Sequence, residues 1–311
     1  MLRRLFGGFD FEKFSQASAK EIQAPRFTRR LFIRLFLGFS LISYFPFRIR
    51  EVKADPVQPS GTGRTGSIGG YFVGEELFYE VGVWMFKRVA LGKLSFKEAE
   101  KKGLMMAVLE GETLGFLGWV ARYRVDTYRA VMEEMDGGKR FRAVSFEEDV
   151  KIGDRLRRKT HFFDYEKRKW IQIKREKDGT EERTEADIPH GMVYDDFLTA
   201  SYNFRYGVYG EIARGKKFSV ATFPRKGSSS YDVIVASKEE EEKRKKDEKK
   251  KDGKEYYVKL FLAPEITHSK QGLIEGWLSK DLYPLEGAVK DVIFFGDVKG
   301  TLVKKNGSRL V

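Results

Sequence analysis

The residues able to do chemistry are few in kind. The chain of 311 residues has no cysteine and only three histidines, His161, His190 and His268. Disulfides, thiolate metal sites and cysteine nucleophiles are therefore excluded. The histidines are scattered, with no H-E-x-x-H and no close pair, so no metal-ligand spacing exists. Neither a G-x-S-x-G nucleophile elbow nor a G-x-x-x-x-G-K-S/T phosphate loop occurs. Gly61, Gly63 and Gly66 fit G-x-G-x-x-G, but no apolar strand precedes them and no helical pattern follows, the context a dinucleotide site requires. Acid–base work would fall to carboxylates, and with 46 of them no two can be paired on sequence grounds. The sequence thus names no catalytic residue, no metal and no cofactor.

The elements that would position any site begin with a question of charge. Lys and Arg number 59 against 46 Asp and Glu, a net +13 that suggests nucleic acid or an anionic surface. Residues 1–54 hold 11 of the basic and 4 of the acidic residues, so more than half of the excess lies there. The remainder mixes both signs and lacks the one-sided basic stripe of a nucleic-acid binder.

That N-terminal segment reads as an address. Leu35 to Phe47 is an uncharged run of 13 residues, about 20 Å as a helix against a hydrocarbon core of about 30 Å. Arginines precede it, and VKA ends at Ala54 as an export cleavage site would. TRRLFIR, with Arg29 and Arg30, resembles the twin-arginine signal pattern S/T-R-R-x-F-L-K. A Sec signal, an uncleaved inner-membrane anchor and a buried amphipathic helix remain alternatives. Residues 1–54 are expected to be a signal peptide, 55–70 a flexible Pro/Gly/Ser-rich linker, and 71–311 one β-rich domain.

From Tyr71 onward short apolar and aromatic runs alternate with turn residues, as in RYRVDTYRAV, and KDGT supplies a hairpin turn. No series of long helices separates the strands, which argues against a parallel doubly wound sheet. One amphipathic helix is predicted over 193–210, about four turns long, capped by Asp195 or Asp196. Asp196 and Arg205 fall on opposite sides of it, so the partners of both are expected from the sheet. The charged insert 238–254 has nothing to bury and reads as solvated, helical or disordered. The expected fold is mainly β, an antiparallel sheet curled into a partly open barrel or spiral around one helix. Its interior would be a packed core or a hydrophobic cavity, with Trp84, Phe197, Phe204, Phe261 and Trp277 as candidates to line it.

Three segments carry a resemblance: VGEELFYEVGVW, with Gly74, Glu75 and Tyr79; YDDFLTASYNFR, with Asp196 and Arg205; and WLSKDLYPLEGAVKDVIFFGDVKGTL, with Asp281, Pro284 and Gly296. Together they resemble the exported bacterial family known as domain of unknown function 3108. The resemblance implies a protein of the periplasm or cell envelope, with a curled sheet similar to that of the periplasmic lipoprotein carriers, whose concave face receives acyl chains. It implies no reaction. The expected function is a non-catalytic binder of acyl chains of lipids or lipoproteins, or a structural protein; the alternative is a carboxylate-based hydrolase of envelope glycan. Expected partners are the twin-arginine or Sec export machinery and acyl chains, with no nucleic acid.

Overall fold

The computed structural model describes residues 66–175, 179–225, 228–247, 253–262, 264–267, 269–292 and 295–306. The export signal with Arg29, Arg30 and Ala54, the linker before Gly66, the first residues of the KDGT turn, His268 and residues 248–252 of the insert lie outside these. The chain divides into two compact units, Met1–Lys53 and Ala54–Val311, and all described residues belong to the second.

Alternating runs joined by short turns give fourteen strands: β1 (Glu76–Val83), β2 (Phe86–Glu98), β3 (Leu104–Thr113), β4 (Val125–Met135), β5 (Arg140–Ile152), β6 (Arg155–Asp164), β7 (Lys169–Arg175), β8 (Glu181–Asp187), β9 (Lys217–Arg225), β10 (Ser228–Val235), β11 (Tyr256–Phe261), β12 (Leu273–Leu278), β13 (Pro284–Val292) and β14 (Gly296–Asn306). They form one antiparallel sheet in the order β8-β7-β6-β5-β4-β3-β2-β1-β14-β13-β12-β11-β10-β9. Each neighbour is the next strand in the chain except at β1–β14, where the first and last strands pair, Tyr79 opposite Leu302. Two meandering wings thus meet at β1 and β14.

The sheet is curled but not closed by hydrogen bonds between β8 and β9. Side chains bridge the gap: the Phe223 ring of β9 lies 4.4 Å from His161 on β6 and 5.8 Å from Trp170 on β7. Strand alternation sends Leu77 and Tyr79 of β1, Leu94 and Phe96 of β2, and Ala107 and Leu109 of β3 to the inner face, where they join one core cluster.

Five helices among the described residues accompany the sheet: α1 (Ile68–Phe72), α2 (Gly115–Val120), α3 (Phe197–Tyr206), α4 (Lys238–Asp247) and α5 (Pro264–Thr267). α3, the amphipathic helix inside the curl, packs on β3, β4 and β5. It spans 10 residues, about three turns rather than the four expected within 193–210. Asp196 starts it by accepting from the Leu198 and Thr199 amides, and Gly207 at φ 90° ends it as a left-handed cap.

Two further expectations are corrected. Ile68–Gly70, assigned to the flexible linker, belongs to α1, and Ile68 and Phe72 are buried in the core; the two apolar side chains dock because both fall inward within one helical turn. The insert is helical over Lys238–Asp247, one of its expected states, but it does bury a side chain. α4 lies on the outer face of β11 and β12, where Glu241, 2 % exposed, accepts from Arg214 Nε at 2.8 Å and from the Tyr257 amide at 3.3 Å. Arg244 sits over the Tyr257 ring, and Lys245 over Trp277. Long basic side chains cover aromatic surface with their stems while their charged heads reach water, which lets a helix without apolar residues pack.

Candidate functional site

One end of the curl is locked and the other is open. The locked end gathers most of the motif positions. Glu75, at the threshold of β1, accepts two parallel hydrogen bonds from Arg205 of α3, Nη1 to Oε1 at 2.7 Å and Nη2 to Oε2 at 2.6 Å, while Arg205 Nε donates to the Leu282 carbonyl at 2.9 Å. The guanidinium lies over the Phe72, Tyr202 and Tyr283 rings. Burial works against the Arg205 charge, but Glu75 outweighs it and holds the pKa above the usual arginine range. Asp281 is exposed in the turn before Leu282, whose positive φ of 62° aims its carbonyl at Arg205. Tyr79 Oη donates to the Pro284 carbonyl at 2.9 Å, tying β1 to β13, and burial raises its pKa. One arginine thereby joins α1, α3, the start of β1 and the β12–β13 turn.

Arg205 finds its partners at the strand ends of the locked end, as expected from the sheet. Asp196 does not: its carboxylate is satisfied inside the helix by the Leu198 and Thr199 amides and the Thr199 hydroxyl, because an N-cap side chain points back at its own first turn. Burial pushes its pKa up to about 6 against these hydrogen bonds. Beside it, Asp195 accepts from Arg140 at 3.0 Å, Asn203 at 3.2 Å and Tyr209 at 2.5 Å; burial, only partly offset by Arg140, raises its pKa.

Toward the other end the described residues leave the inner face uncovered, and the two wings enclose a cavity of about 1070 Å³. Val81, Leu94, Leu109 and Tyr128 form one wall, Leu260, Ile274, Val289 and Val298 the other, and Phe197 and Phe223 lie between them. Four glycines, Gly92, Gly111, Gly287 and Gly300, occupy wall positions. None has a positive φ, and a Cβ at any of them would meet no atom closer than 3.6 Å. The missing side chains therefore answer neither to backbone conformation nor to crowding, and their absence widens the space.

The polar groups of the wall are mostly engaged or turned away. Asp126 is paired with Arg124 at 2.8 Å, and that hydrogen bond raises the Arg124 pKa. Glu286 points to the outer face, where Lys254 and Lys299 each lie 2.8 Å away. Glu110 and Glu112 alternate with the inward Leu109 and Gly111, so their side chains also point outward. Tyr231 is different: it lines the cavity, and its hydroxyl forms no hydrogen bond among the described residues. Burial, then Asp195 and Asp196, raises its pKa well above the ordinary tyrosine value.

Of the five residues expected to line the interior, the structure brings Phe197 to the cavity. Trp84, 70 % exposed, occupies the β1–β2 turn, outside the strand alternation, and Phe261, 42 % exposed, alternates with the cavity-lining Leu260 of β11 and so points to the outer face. Trp277, 1 % exposed, is buried on the opposite face beneath α4. Phe204 packs edge-on against Phe218, their ring centres 5.5 Å apart. Gly296, at φ 64°, lies beside Trp84, whose indole nitrogen would be 2.7 Å from a Cβ there. Gly74 has φ 82° in the turn before Glu75. The glycine positions and Tyr231 were missed, although the glycines could have been found by aligning inward positions on adjacent strands: Gly92 pairs with Gly111, and Gly287 with Gly300.

A single meandering antiparallel sheet, locked around a helix at one end and hollow at the other, defines an open-curled, cavity-bearing β protein. The chain belongs to the DUF3108 family, described as proteins of unknown function, whose model matches residues 79–303. No curated protein and no solved structure matches it significantly.

Proposed function

We propose that the protein is a non-catalytic, exported cell-envelope binder of an apolar chain, such as the acyl chain of a lipid or lipoprotein, held between the wings of the sheet. The observation that carries this reading is the cavity of about 1070 Å³, at the upper end of the roughly 300–1,000 Å³ of small-molecule sites. Aliphatic and aromatic walls fit a hydrocarbon ligand, and the glycines leave it room at the backbone. The hydrolase alternative gains no specific support, since the wall aspartate Asp126 is engaged by Arg124. Export rests on the leader: its arginine pair, its short apolar run and the VKA boundary.

The direct test is mass spectrometry of organic extracts from the purified full chain, with binding of a fluorescent fatty acid measured in parallel. A stoichiometric co-purified lipid, or saturable binding displaced by unlabelled fatty acid, is the expected result; neither appearing would end the reading. For export, replacing both Arg29 and Arg30 by Lys in a tagged full-length protein should block translocation, and unchanged export would direct the leader to the Sec route.

A further inference from the structure

Because the strands alternate in direction, every connection can be assigned to one end of the sheet. The locked end carries α1, α3 and the β12–β13 turn. The open end carries the β1–β2 turn, α2 with the loop after it, the β5–β6 turn, the β11–β12 connection and the β13–β14 turn. Thirteen large hydrophobic side chains are strongly exposed among the described residues, and nine belong to this open end: three on the β1–β2 hairpin, three on α2 and its following loop, and one each on the start of β6, the end of β11 and the β13–β14 turn. Monomeric surfaces scatter such residues, and a cluster marks an interaction site.

The cluster rims the cavity mouth. Leu117 and Ala121, on and just after α2, line the cavity, and so does Phe295 of the β13–β14 turn, while Phe116 and Trp119 of the same helix stack on each other outside it, ring centres 5.9 Å apart. Trp84 and Met85, 70 % and 86 % exposed, form the tip of the β1–β2 hairpin. Trp84 and Tyr123 are held at φ 53° and 48°, a backbone region unfavourable for bulky side chains. Charge follows the same end. Lys87, Arg122, Lys151, Arg155 and Arg157 are exposed there outside any ion pair of the described residues, against exposed Glu112 and Asp154.

We infer that the open end is a membrane-docking surface: the aromatic rim inserts into the interfacial layer of an anionic lipid bilayer, flanked by the basic residues, and sets the cavity mouth against the lipid. Tryptophan and tyrosine favour that layer because their rings are apolar with one polar edge. Basic side chains near an anionic surface add attraction that fades with salt. The docking surface stands on the rim and its charge, independently of what the cavity holds.

Tryptophan fluorescence tests it. The chain has four tryptophans, none before Trp84, and Trp170 and Trp277 are buried, so quenching by lipid reports on Trp84 and Trp119. Vesicles of phosphatidylglycerol with brominated chains, added to the full-length protein, should quench these two, less so at high salt and less so with phosphatidylcholine. Replacing Trp84 and Trp119 by Asp should weaken partitioning about ten- to a hundredfold, as expected for lost burial of large apolar side chains. Both are exposed, so unchanged thermal unfolding is the control for folding. Vesicle binding without quenching would place the contact elsewhere in the chain, and quenching that persists after the protein leaves the vesicles would place the lipid in the cavity. Concentration-dependent self-association lost in the double variant would assign the rim to a second copy of the chain. Each overturns the inference. A variant with the cavity filled should still be quenched by vesicles, which separates this test from that of the cavity.

Discussion

Replacing Gly287 by Phe puts the cavity reading at risk most directly. Gly287 sits within β13 in extended backbone, and a Cβ added there meets nothing within 4 Å. It shares its face with Val289, on the cavity wall. A phenyl ring there would enter the space without displacing a neighbour. For the fold, losing a strand glycine gains about 0.5–1 kcal/mol. For a hydrocarbon ligand, a ring that displaces about four methylenes at ~0.8 kcal/mol each costs about 3 kcal/mol of affinity, more than a hundredfold in Kd. Stability and binding should therefore move in opposite directions, which loss of folding cannot imitate. Urea unfolding and fluorescent fatty-acid titration measure the two. A destabilisation of about 1–3 kcal/mol, the signature of an overpacked interior, would mean that the space closes in solution; undiminished binding would mean that the ligand lies elsewhere.

The locked end yields two further predictions. Glu75→Gln leaves the Arg205 guanidinium buried without its counter-charge and should cost about 3–5 kcal/mol in urea unfolding, whereas Glu75→Met with Arg205→Met should recover much of that loss; a single variant within about 1 kcal/mol of the parent would remove the pair from its structural role. At Asp196 the folded pKa of about 6 stands above the ordinary aspartate value of 3.8, so the folded state binds the proton more readily. This protonation favours folding fully below the unfolded pKa and is lost as pH rises toward 6, a change of about 3 kcal/mol at most. Asp196→Asn keeps a capping oxygen and removes the charge, so its stability relative to the parent should rise between about pH 4 and pH 6. A flat difference across that window would refute the assignment.

The sheet was legible because its strands alternate: one face must be apolar, and the runs after Tyr71 say so residue by residue. The helix was legible for its Asp196 cap and its inward aromatics, but its length was overstated because Tyr206, Val208 and Tyr209 continue the apolar pattern past Gly207, whose left-handed backbone ends it. The helical option for the insert is the one observed, but the docking of α4 was missed because its sequence offers only charge, and what it covers, Tyr257 and Trp277, lies on other strands. Trp84 and Phe261 show the converse. Aromatic type alone does not place a side chain: Trp84 sits in a turn, and Phe261 alternates with the cavity-lining Leu260 and so faces outward. The cavity was hardest to read, since it is made by absence: Gly92 and Gly111 lie 19 positions apart in the chain and face each other only through register. Sequence names the residues, but pairing decides which share a wall.

How the curl closes follows from its two edge strands. β8, EERTEAD, is almost wholly exposed and charged, the composition that keeps a free edge from pairing with another chain. The same charges leave it a poor partner for β9, so the wings meet instead through Phe223 against His161, Trp170 and Phe163. Ring contacts of this kind contribute about 0.5–1.5 kcal/mol each beyond their buried area and tolerate changes in separation, whereas a strand ladder fixes spacing at about 4.8 Å. A hydrogen-bonded barrel of fourteen strands would have a diameter set by strand number and shear. In this sheet the width of the interior is set by side chains: the Glu75–Arg205 pair holds one end closed, stacked rings hold the seam, and the glycines between them keep the space open.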